Sequence, residues 1–481
     1  MSHTLQHTEI ILLHSNDIHS RLENAARIST MIAEERRVWG AHRVLAVDCG
    51  DHMDRMRMES EGTGGRVNRD LLQEAGYEAI TLGNNEGLTC SADMLEQLYG
   101  TTSKLSVVCA NMKISSTGAR PAWMRPHILI EKNGLKVGLV GATANFAEFY
   151  ALLGWTTTEP LAAIREQVSA IRGQCDILIV MSHLGITLDR QMAEEIDGID
   201  LIVGGHTHHL LEEPLVIGTT TVCAAGKFGD YLGRVEIGWD ADTSRPSFRA
   251  TCVPTGAFPE RAEADAVIRA HNEAARGTLS RVITRLKEPL PARTDAESPL
   301  ANLLARGLRR WTDAEIGLVN TGQLLGGLAG GEVTAGELHA LCPSPINPSR
   351  IVIAGRHIRL ALEQALLAHY VTKPIKGFGF RGEVLGTLAM DGMTVRYDHS
   401  REPMGRIVSV LANGEPLQDE RLYVVGTIDM FSFRVGYESL ADTESCRFYL
   451  PEFIRDVIGS ELLREDAIAA CRVQNWIPQS T

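Results

Sequence analysis

Five short apolar runs in the first half of the chain each end in polar or glycine-rich residues. Runs of this length that are rich in Ile, Val and Leu are typical of buried strands rather than helices. Several segments between them carry apolar residues at three- and four-residue spacing, which predicts amphipathic helices. The predicted strands with their polar ends are EIILLHSNDIH (9–19), RVLAVDCGD (43–51), EAITLGNNE (78–86), DILIVMSHLG (176–185) and DLIVGGHTHH (200–209). The predicted helices are ENAARISTMIAEERRVW (23–39), GRVNRDLLQEAG (65–76) and EPLAAIREQVSAIRG (159–173).

This alternation of strands and helices predicts an α/β domain. In such sheets, ligands bind beyond the carboxyl ends of the strands, which is where all five polar clusters lie. The clusters contain seven carboxylate, imidazole and amide side chains: Asp17, His19, Asp51, Asn84, His183, His206 and His208.

Hard and borderline divalent cations take ligands of these three types. Seven ligands are too many for one tetrahedral ion and suit two ions that share a bridging carboxylate. Each cluster alone has a simpler interpretation: a His-x-His pair can be two surface histidines, Asp17 a turn former, and Asn84 a turn residue or helix cap. Five clusters in this order are much harder to obtain by chance, so the sequence predicts a two-metal centre.

The length of 481 residues predicts two domains. A hydrophobic content of 44% with 22% charged residues is that of a soluble globular protein. No stretch approaches the ~18 to 20 apolar residues that span a bilayer, so no membrane partner is expected. The net charge of −13 argues against a nucleic acid polymer as partner. It is compatible with a phosphorylated small molecule whose charge bound cations neutralise.

The cellular location is predicted from the N-terminus and the cysteines. The first residues, MSHTLQHTEIILLHSND, lack the basic, apolar and cleavage segments of an export signal. The nine cysteines are scattered singly and form neither a disulfide framework nor a CxxC site. This usage suits a reducing compartment, so we expect a cytoplasmic protein. The oligomeric state stays open.

The series NDIH, GD, GNN, SHLG and GGHTH resembles the calcineurin-like metallophosphoesterases, and specifically their bacterial 5′-nucleotidase and 2′,3′-cyclic phosphodiesterase branch. The resemblance implies two divalent ions, drawn from Mn, Zn, Fe, Co and Mg. It also implies an N-terminal sandwich of two mixed β-sheets flanked by helices. One ion would be held by Asp17, His19 and His208, the other by Asn84, His183 and His206, with Asp51 bridging the two.

The likeness continues into the second half of the chain. Four segments there resemble the domain that supplies substrate-binding residues in those nucleotidases: 297–310, 313–324, 331–341 and 353–366. We therefore expect a metallophosphoesterase domain over 1–256 and a smaller α+β substrate-binding domain over 287–481. The charge-rich segment 257–286 is predicted to be a connecting helix, with an ordinary surface helix of the first domain as the alternative.

The chain departs from the family pattern beside one predicted ligand. Where the family usually reads GNHEFD, this chain reads GNNEGL over 83–88. Asn84 keeps the ligand, but Asn85 replaces a histidine that is understood to stabilise the transition state and help the leaving group depart. Leu88 replaces the aspartate that orients this histidine. Asparagine cannot become a cation or give up a proton near neutral pH.

Three residues next to ligand positions are candidates to compensate for the missing histidine. They are His52, Arg55 and His209. An ordinary surface residue is the simpler interpretation of each, because adjacency in sequence is not geometry.

A second departure concerns the substrate-binding residues. Leu325 stands near the position of a family arginine, and Thr387 near that of a base-stacking aromatic. The segment FRVGY (433–437) replaces a GGDG-aromatic loop and retains only its final aromatic. The remaining candidates for substrate contact are Asn320 in the NxG turn, Phe380 in GFGFRGE (377–383), and Tyr437. Turn formation by Gly is the simpler explanation for GFGFRGE.

The leading hypothesis is a two-metal hydrolase, similar to 5′-nucleotidases, that cleaves a phosphate ester or anhydride of a nucleotide or related small molecule. Two alternatives stay open. One is a metal-binding or ligand-sensing protein that keeps the fold without turnover. The other is a hydrolase of a sulfur-containing ester.

Overall fold

The protein is described by a computed structural model that covers residues 8–100, 103–240 and 245–479. The chain divides into two compact units, Met1–Ala275 and Arg276–Thr481. The division falls inside the helix Ala262–Leu279, which occupies much of the predicted connecting segment 257–286. Within the described ranges, every helix is too short or too polar to cross a bilayer.

The first unit alternates strands and helices along most of its length. Its strands are β1 Thr8–Ser15, β2 Val44–Asp48, β3 Ala79–Ile80, β4 Ser106–Val108, β5 Met112–Ile114, β6 Met124–Arg125, β7 His127–Lys132, β8 Leu135–Thr143, β9 Trp155–Thr157, β10 Ile177–His183, β11 Leu201–Gly204, β12 Leu215–Ile217, β13 Thr220–Ala224, β14 Tyr231–Trp239 and β15 Pro246–Pro254. Its helices are α1 Leu22–Trp39, α2 Met58–Thr63, α3 Arg66–Ala75, α4 Asn84–Thr89, α5 Ala92–Tyr99, α6 Ala147–Leu152, α7 Pro160–Ile171, α8 Ile186–Glu195 and α9 Ala262–Leu279.

Two mixed sheets form the centre of this unit. The first has seven strands in the order β15-β14-β1-β2-β3-β4-β6, in which β14 runs antiparallel to both β1 and β15, and the rest are parallel neighbours. The second has six strands in the order β12-β13-β11-β10-β8-β7, with antiparallel pairs at both edges. The predicted sandwich of two mixed sheets is therefore confirmed.

A shared hydrophobic core joins the two sheets. Strand residues alternate between the two faces of a sheet. Accordingly, Ile10 and Leu12 of β1 belong to the same buried cluster as Ile179 and Met181 of β10. The neighbouring residue Val180 belongs to a second cluster, formed on the other face with helices α7 and α8. Helices and the facing sheet thus cover both faces of the second sheet.

The carboxyl ends of the parallel strands meet at one edge of each sheet. Ser15 at the end of β1 is in register with Asp48 at the end of β2, and Asp48 with Ile80 at the end of β3. In the other sheet, β10 and β11 are parallel neighbours that end at His183 and Gly204. The polar clusters therefore follow the ends of adjacent strands, as the sequence predicts.

The second unit is smaller and combines mostly antiparallel strands with separate helices, which confirms the predicted α+β class. A five-stranded sheet, β20-β17-β24-β19-β25, a four-stranded sheet, β23-β22-β21-β26, and the pair β16-β18 make up its strands. The strands are β16 Val282–Leu286, β17 Ile316–Asn320, β18 Gly331–Thr334, β19 Pro348–Ala354, β20 Leu388–Asp391, β21 Met393–Tyr397, β22 Ile407–Ala412, β23 Glu415–Pro416, β24 Leu422–Ile428, β25 Thr443–Phe448 and β26 Trp476–Pro478. The helices are α10 Pro299–Trp311, α11 Ala335–Leu341, α12 Gly355–Ala365, α13 Ala368–Val371, α14 Ile454–Leu462 and α15 Glu465–Ala470.

Candidate functional site

Five of the seven predicted ligands have a left-handed backbone conformation. Non-glycine residues rarely adopt positive φ angles, and such strain is concentrated at functional sites. At these residues the backbone turns sharply in the loop that follows a strand, so that the side chain lies at the sheet edge. The residues are Asp17 (φ 52°), His19 (48°), Asp51 (52°), His206 (75°) and His208 (59°).

Asp17 lies at the centre of the first ligand group. Its Oδ2 accepts hydrogen bonds from the Asn16 amide at 2.8 Å and from the backbone N–H of His206 at 2.9 Å. Its Oδ1 is buried and accepts no hydrogen bond from any described residue. That oxygen instead lies 3.9 Å from Nε2 of His19 and 3.5 Å from Nε2 of His208. A buried carboxylate oxygen without a donor is costly, so this position fits a cation.

The second ligand group surrounds His183, which is fully buried. Its Nδ1 lies 2.7 Å from the backbone carbonyl of Cys49, so it carries the proton and donates it there. Nε2 is thereby left to face Oδ1 of Asp51 at 3.4 Å and Oδ1 of Asn84 at 3.2 Å. The same Asn84 oxygen lies 2.8 Å from Nδ1 of His206. A carbonyl that fixes the tautomer of a ligating histidine is usual in metal sites.

The carboxylate of Asp51 approaches the backbone of the neighbouring loop closely. A Cβ atom at Gly83 would lie 2.0 Å from its Oδ1, so only glycine fits there. The same oxygen accepts the backbone N–H of Asn85 at 2.7 Å. Burial opposes ionisation of Asp51, but the neighbouring His183 outweighs it and holds the pKa of Asp51 below its ordinary value. In turn, despite burial, Asp51 raises the pKa of His183 to about 10. The field of these carboxylates therefore favours positive charge between the ligands.

The structure brings the predicted ligands together in two overlapping groups. Asp17, His19 and His208 present ligand atoms within 4.8 Å of one another, and so do Asp17, Asp51 and His183. Asp17 belongs to both groups. The bridging role of Asp51 stays a prediction.

Asn85 contacts a ligand rather than standing apart from it. Its side-chain nitrogen lies 2.9 Å from Nδ1 of His19 and donates to the carbonyl of Met53 at 3.1 Å. Its side-chain oxygen accepts from Asn84 at 3.3 Å. The amide therefore links the two ligand groups and fixes the His19 ring, with Nε2 turned toward His208 at 3.1 Å.

Glu86 is a buried residue whose importance the sequence did not indicate. Its Oε2 accepts the backbone N–H groups of Asp51 at 3.0 Å and Gly83 at 2.9 Å, and its Oε1 accepts that of Met53 at 2.8 Å. One carboxylate thus joins the loops that follow β2 and β3. The only signal in the sequence was an acidic residue directly after the two asparagines.

The three candidates for compensation lie in different surroundings. His52 is buried, with Nδ1 3.4 Å from the Asn68 amide, and burial lowers the pKa of His52 to about 3. Arg55 forms a double ion pair with Glu61 at 2.7 and 2.9 Å and donates to the carbonyl of Thr89 at 2.6 Å. Their catalytic roles stay predictions.

His209 is exposed and lies 2.9 Å from Oγ1 of Thr207. It lines a cleft of about 480 Å³ along α8, together with Arg190 and Leu211. A catalytic role for His209 also stays a prediction.

The three predicted substrate contacts belong to the interior of the second unit. Asn320 donates to the carbonyl of Leu385 at 2.7 Å and accepts from Gln323 at 3.0 Å. Tyr437 is fully buried and donates to the carbonyl of Gly386 at 2.7 Å. Phe380 is only 4% exposed. The polar groups of Asn320 and Tyr437 thus form hydrogen bonds within the unit. The role of all three residues in substrate binding stays a prediction.

Two neighbouring aromatic rings are exposed instead. Phe378 is 54% exposed and Phe433 is 40% exposed, and their ring centroids lie 5.8 Å apart at an interplanar angle of 31°. They lie in the two segments, GFGFRGE and FRVGY, that the sequence had pointed to. Which ring in each segment faces solvent is set by the turns, including a left-handed Phe378 (φ 54°).

Residues 10–210 match the family described as calcineurin-like phosphoesterase, and residues 281–438 match the 5′-nucleotidase C-terminal domain. YunD, an uncharacterized metallophosphoesterase of Bacillus subtilis (strain 168), is 34% identical over 456 residues, which cover 94% of this chain and 98% of YunD. The chain belongs to the calcineurin-like phosphoesterases.

This phosphoesterase also shares its fold with solved nucleotidases. The 5′-nucleotidase precursor of Thermus thermophilus matches with a TM-score of 0.59 and 21% identity, over 98% of this chain and 99% of that one. The NAD nucleotidase of Haemophilus influenzae matches with a TM-score of 0.67 and 15% identity, over 98% and 97%. The phosphoesterase is thus a hydrolase of phosphoric esters in a family that uses two divalent ions, and its two ligand groups fit that requirement.

Proposed function

We propose that this phosphoesterase acts on a nucleotide or related phosphorylated small molecule whose leaving group needs no proton, such as a phosphoanhydride or an activated ester. The observation that carries the proposal is the position of Asn85. The Asn85 amide contacts the ring of His19, and by the family resemblance position 85 is where a histidine is expected. An amide cannot give up a proton to a departing alkoxide. A leaving group that departs as a stable anion needs no proton from the protein.

The roles of the chain's own residues follow from the geometry. When bound, two divalent ions neutralise phosphate oxygens and activate the attacking water. Asp17, Asp51 and His183 would hold the ions in place through the contacts described above. Glu86 and Asn85 keep the ligand loops in position by hydrogen bonding, so that little reorganisation is needed during reaction.

The exposed pair Phe378 and Phe433 offers a stacking surface on the second unit. Aromatic side chains provide stacking surfaces for nucleobases, and stacking on one is worth about 1 to 3 kcal/mol per base. Large aromatic rings that neighbour each other at the surface often mark a binding site. A nucleobase is the kind of planar group that such a surface would bind.

The test compares substrates that differ in the leaving group. The protein, loaded separately with Mn²⁺, Zn²⁺, Fe²⁺, Co²⁺ and Mg²⁺, is assayed on AMP, ADP, p-nitrophenyl phosphate and an aryl sulfate. We expect ADP and the aryl phosphate to be hydrolysed faster than AMP by about 10² or more, which is what a missing general acid typically costs. Equal rates on AMP and the aryl phosphate, with chemistry limiting, would contradict the proposal. Turnover of none of them would favour the ligand-sensing alternative, and preference for the sulfate would favour the sulfur-ester alternative.

We also propose a cytoplasmic location. All nine cysteines are free, and most of them are buried. Burial raises the pKa of several of their thiols, including that of Cys223 to about 12. These thiols are therefore unreactive and behave as small apolar side chains. Free cysteines are the usual state in a reducing compartment.

A further inference from the structure

Phe228 lies against the metal-ligand cluster in the loop between β13 and β14. Its ring meets the ring of His19 edge-on, with centroids 5.8 Å apart at 69°. Its backbone is left-handed (φ 62°), and its N–H donates to the carbonyl of Asp17 at 2.7 Å. Its carbonyl accepts from the Asn24 amide at 2.9 Å. The ring is therefore fixed in place by a ligand loop and by helix α1.

Two cations lie over this ring. The guanidinium carbon of Arg21 is 4.8 Å from the ring centroid, and the ammonium nitrogen of Lys227 is 4.7 Å from it. Both side chains are exposed. Within the described ranges, neither of them forms an ion pair with a carboxylate. Glu23, which Arg21 influences at longer range, is itself paired with Arg57.

Folding stability does not account for this arrangement. An exposed cation over an aromatic ring contributes about 0.5 to 1 kcal/mol, and two like charges on one ring repel each other. An anion that contacts these cations would offset their repulsion with charge-assisted contacts.

We propose that Arg21 and Lys227, held on Phe228, bind the anionic group of the substrate that adjoins the reacting phosphate. The chemical class that fits is a diphosphate, whose terminal phosphate is held at the ligand cluster and whose second phosphate contacts the cations. This inference rests on the proposed function and names the residues that contact the leaving group of the substrate. Arg21 and Lys227 are thus specificity residues of the same site.

The reaction is a simple hydrolysis. Water attacks the terminal phosphorus, and the bridging P–O bond breaks with both electrons passing to the oxygen of the leaving phosphate. The water proton is released to solvent. The two cations balance the negative charge that the leaving phosphate gains. They thereby take the place of a proton, which Asn85 cannot give.

The test measures selectivity between two substrates. Arg21→Gln and Lys227→Gln are compared with wild type on ADP and on p-nitrophenyl phosphate. Arg21→Gln removes no capping interaction, since the Arg21 side chain makes none at the start of α1. Loss of a charge-assisted contact should lower kcat/KM for ADP about tenfold more than for the aryl phosphate. KM should rise because the second phosphate is bound less tightly, and kcat should fall because the charge that this phosphate gains is no longer balanced. Arg21→Lys, which keeps the charge, should restore most of the difference.

Two matched controls distinguish local from general charge effects. Arg37→Gln removes an exposed arginine from the last turn of the same helix. Lys136→Gln removes an exposed lysine near the start of β8, at the opposite end of the strand from the ligand loops. Neither should change the ratio of ADP to aryl phosphate hydrolysis. Equal losses on both substrates, or an equal effect of the controls, would overturn the inference.

A binding measurement separates this inference from the proposed function. Pyrophosphate and orthophosphate are titrated calorimetrically into the metal-loaded protein and its variants. We expect Arg21→Gln and Lys227→Gln to weaken pyrophosphate binding about tenfold more than orthophosphate binding. If wild type hydrolyses neither substrate, the proposed function fails and the titration alone decides the role of the cations. Unchanged preference for pyrophosphate in both variants would refute that role.

Discussion

The side-chain nitrogen of Asn85 lies 2.9 Å from Nδ1 of His19. A residue that, by the family resemblance, is expected to stand in the place of a catalytic histidine therefore contacts a predicted metal ligand. Partners that accept the N–H of the second ring nitrogen set the orientation of a ligating histidine, and their removal typically costs about 10- to 100-fold in metal affinity. For Nε2 of His19 to hold an ion, Nδ1 must carry the proton, so the Asn85 amide then turns its oxygen toward Nδ1. Asn85 thus contacts a predicted metal ligand even though it cannot act as an acid.

The first prediction follows from this contact. Asn85→Leu keeps the size of the side chain but removes its hydrogen bonds, so metal affinity should fall by about 10- to 100-fold. Competition with a chromophoric chelator measures this. Leu88→Ala, on the same short helix α4, is the control and should leave affinity within about twofold of wild type because substitutions away from special features have small effects. Unchanged affinity in Asn85→Leu would show that the contact is incidental.

A double substitution tests the leaving-group argument. Asn85→His with Leu88→Asp supplies a proton donor and a carboxylate to orient it. The gain should be larger for AMP than for ADP, by a factor of about 10², because only the alkoxide leaving group needs the proton. Steady-state rates on both substrates provide the measurement. A uniform gain or loss on the two would speak against a missing acid.

Asp51 is the predicted bridge between the ions. Asp51→Asn removes a buried negative charge and should weaken both sites and abolish hydrolysis. Elemental analysis of the purified variant gives the metal content. Asp197→Asn, an exposed position between α8 and β11, is the matched control. Two full equivalents of metal in Asp51→Asn would rule out the bridging role.

Asp429 gives a prediction for the dependence of stability on pH. It is buried in the second unit, where its Oδ2 accepts the N–H of Asn347 at 3.2 Å and its Oδ1 has no partner among the described residues. Burial raises the pKa of Asp429 to about 7. Between about pH 4 and pH 7 the folded protein therefore binds more protons than the unfolded chain, so the free energy of unfolding falls as pH rises through this range.

Asp429→Asn should remove that dependence, because an amide stays neutral at every pH and can still accept the same N–H. The variant should gain up to about 4 kcal/mol relative to wild type at pH 8 and much less at pH 4. Urea unfolding at the two pH values measures the difference, and Asp419→Asn at the surface serves as control. A variant that is no more stable than wild type at pH 8 would show that Asp429 is ionised there without penalty.

The proposed location predicts the state of the cysteines. In protein recovered without reductant, all nine thiols should react with an alkylating agent after unfolding. Cell fractionation should place the protein with cytoplasmic markers. Disulfide-linked peptides, or recovery from an extracytoplasmic fraction, would contradict this prediction.

The order of elements and the positions of the candidate ligands could be predicted because both depend on local features. Apolar runs and their polar ends identify β1, β2, β3, β10 and β11, and parallel strands place their carboxyl ends at a common edge. The predicted helices coincide with α1, α3 and α7 to within two residues at each end. The candidate ligands needed no further information, because each lies at the end of a strand or within four residues of it.

The side-chain environment could not be predicted in this way, because it depends on residues far apart in the chain. In 377–383 and 433–437 the sequence drew attention to Phe380 and Tyr437, but the turns bury these rings and expose Phe378 and Phe433. The role of Glu86 likewise depends on the tertiary structure, which brings three backbone N–H groups from two loops to its carboxylate.

The sequence by itself determined the α/β order and the chemical types of the ligands, since strand period and residue type are properties of short segments. Tertiary structure alone decided that Asn85 contacts His19 and that Arg21 and Lys227 share one aromatic ring. Arg21 and Lys227 lie far apart in the chain, and no local pattern relates them. Only the pairing of β1 with β14 and the strained loops beyond these strands bring the two cations to the same ring.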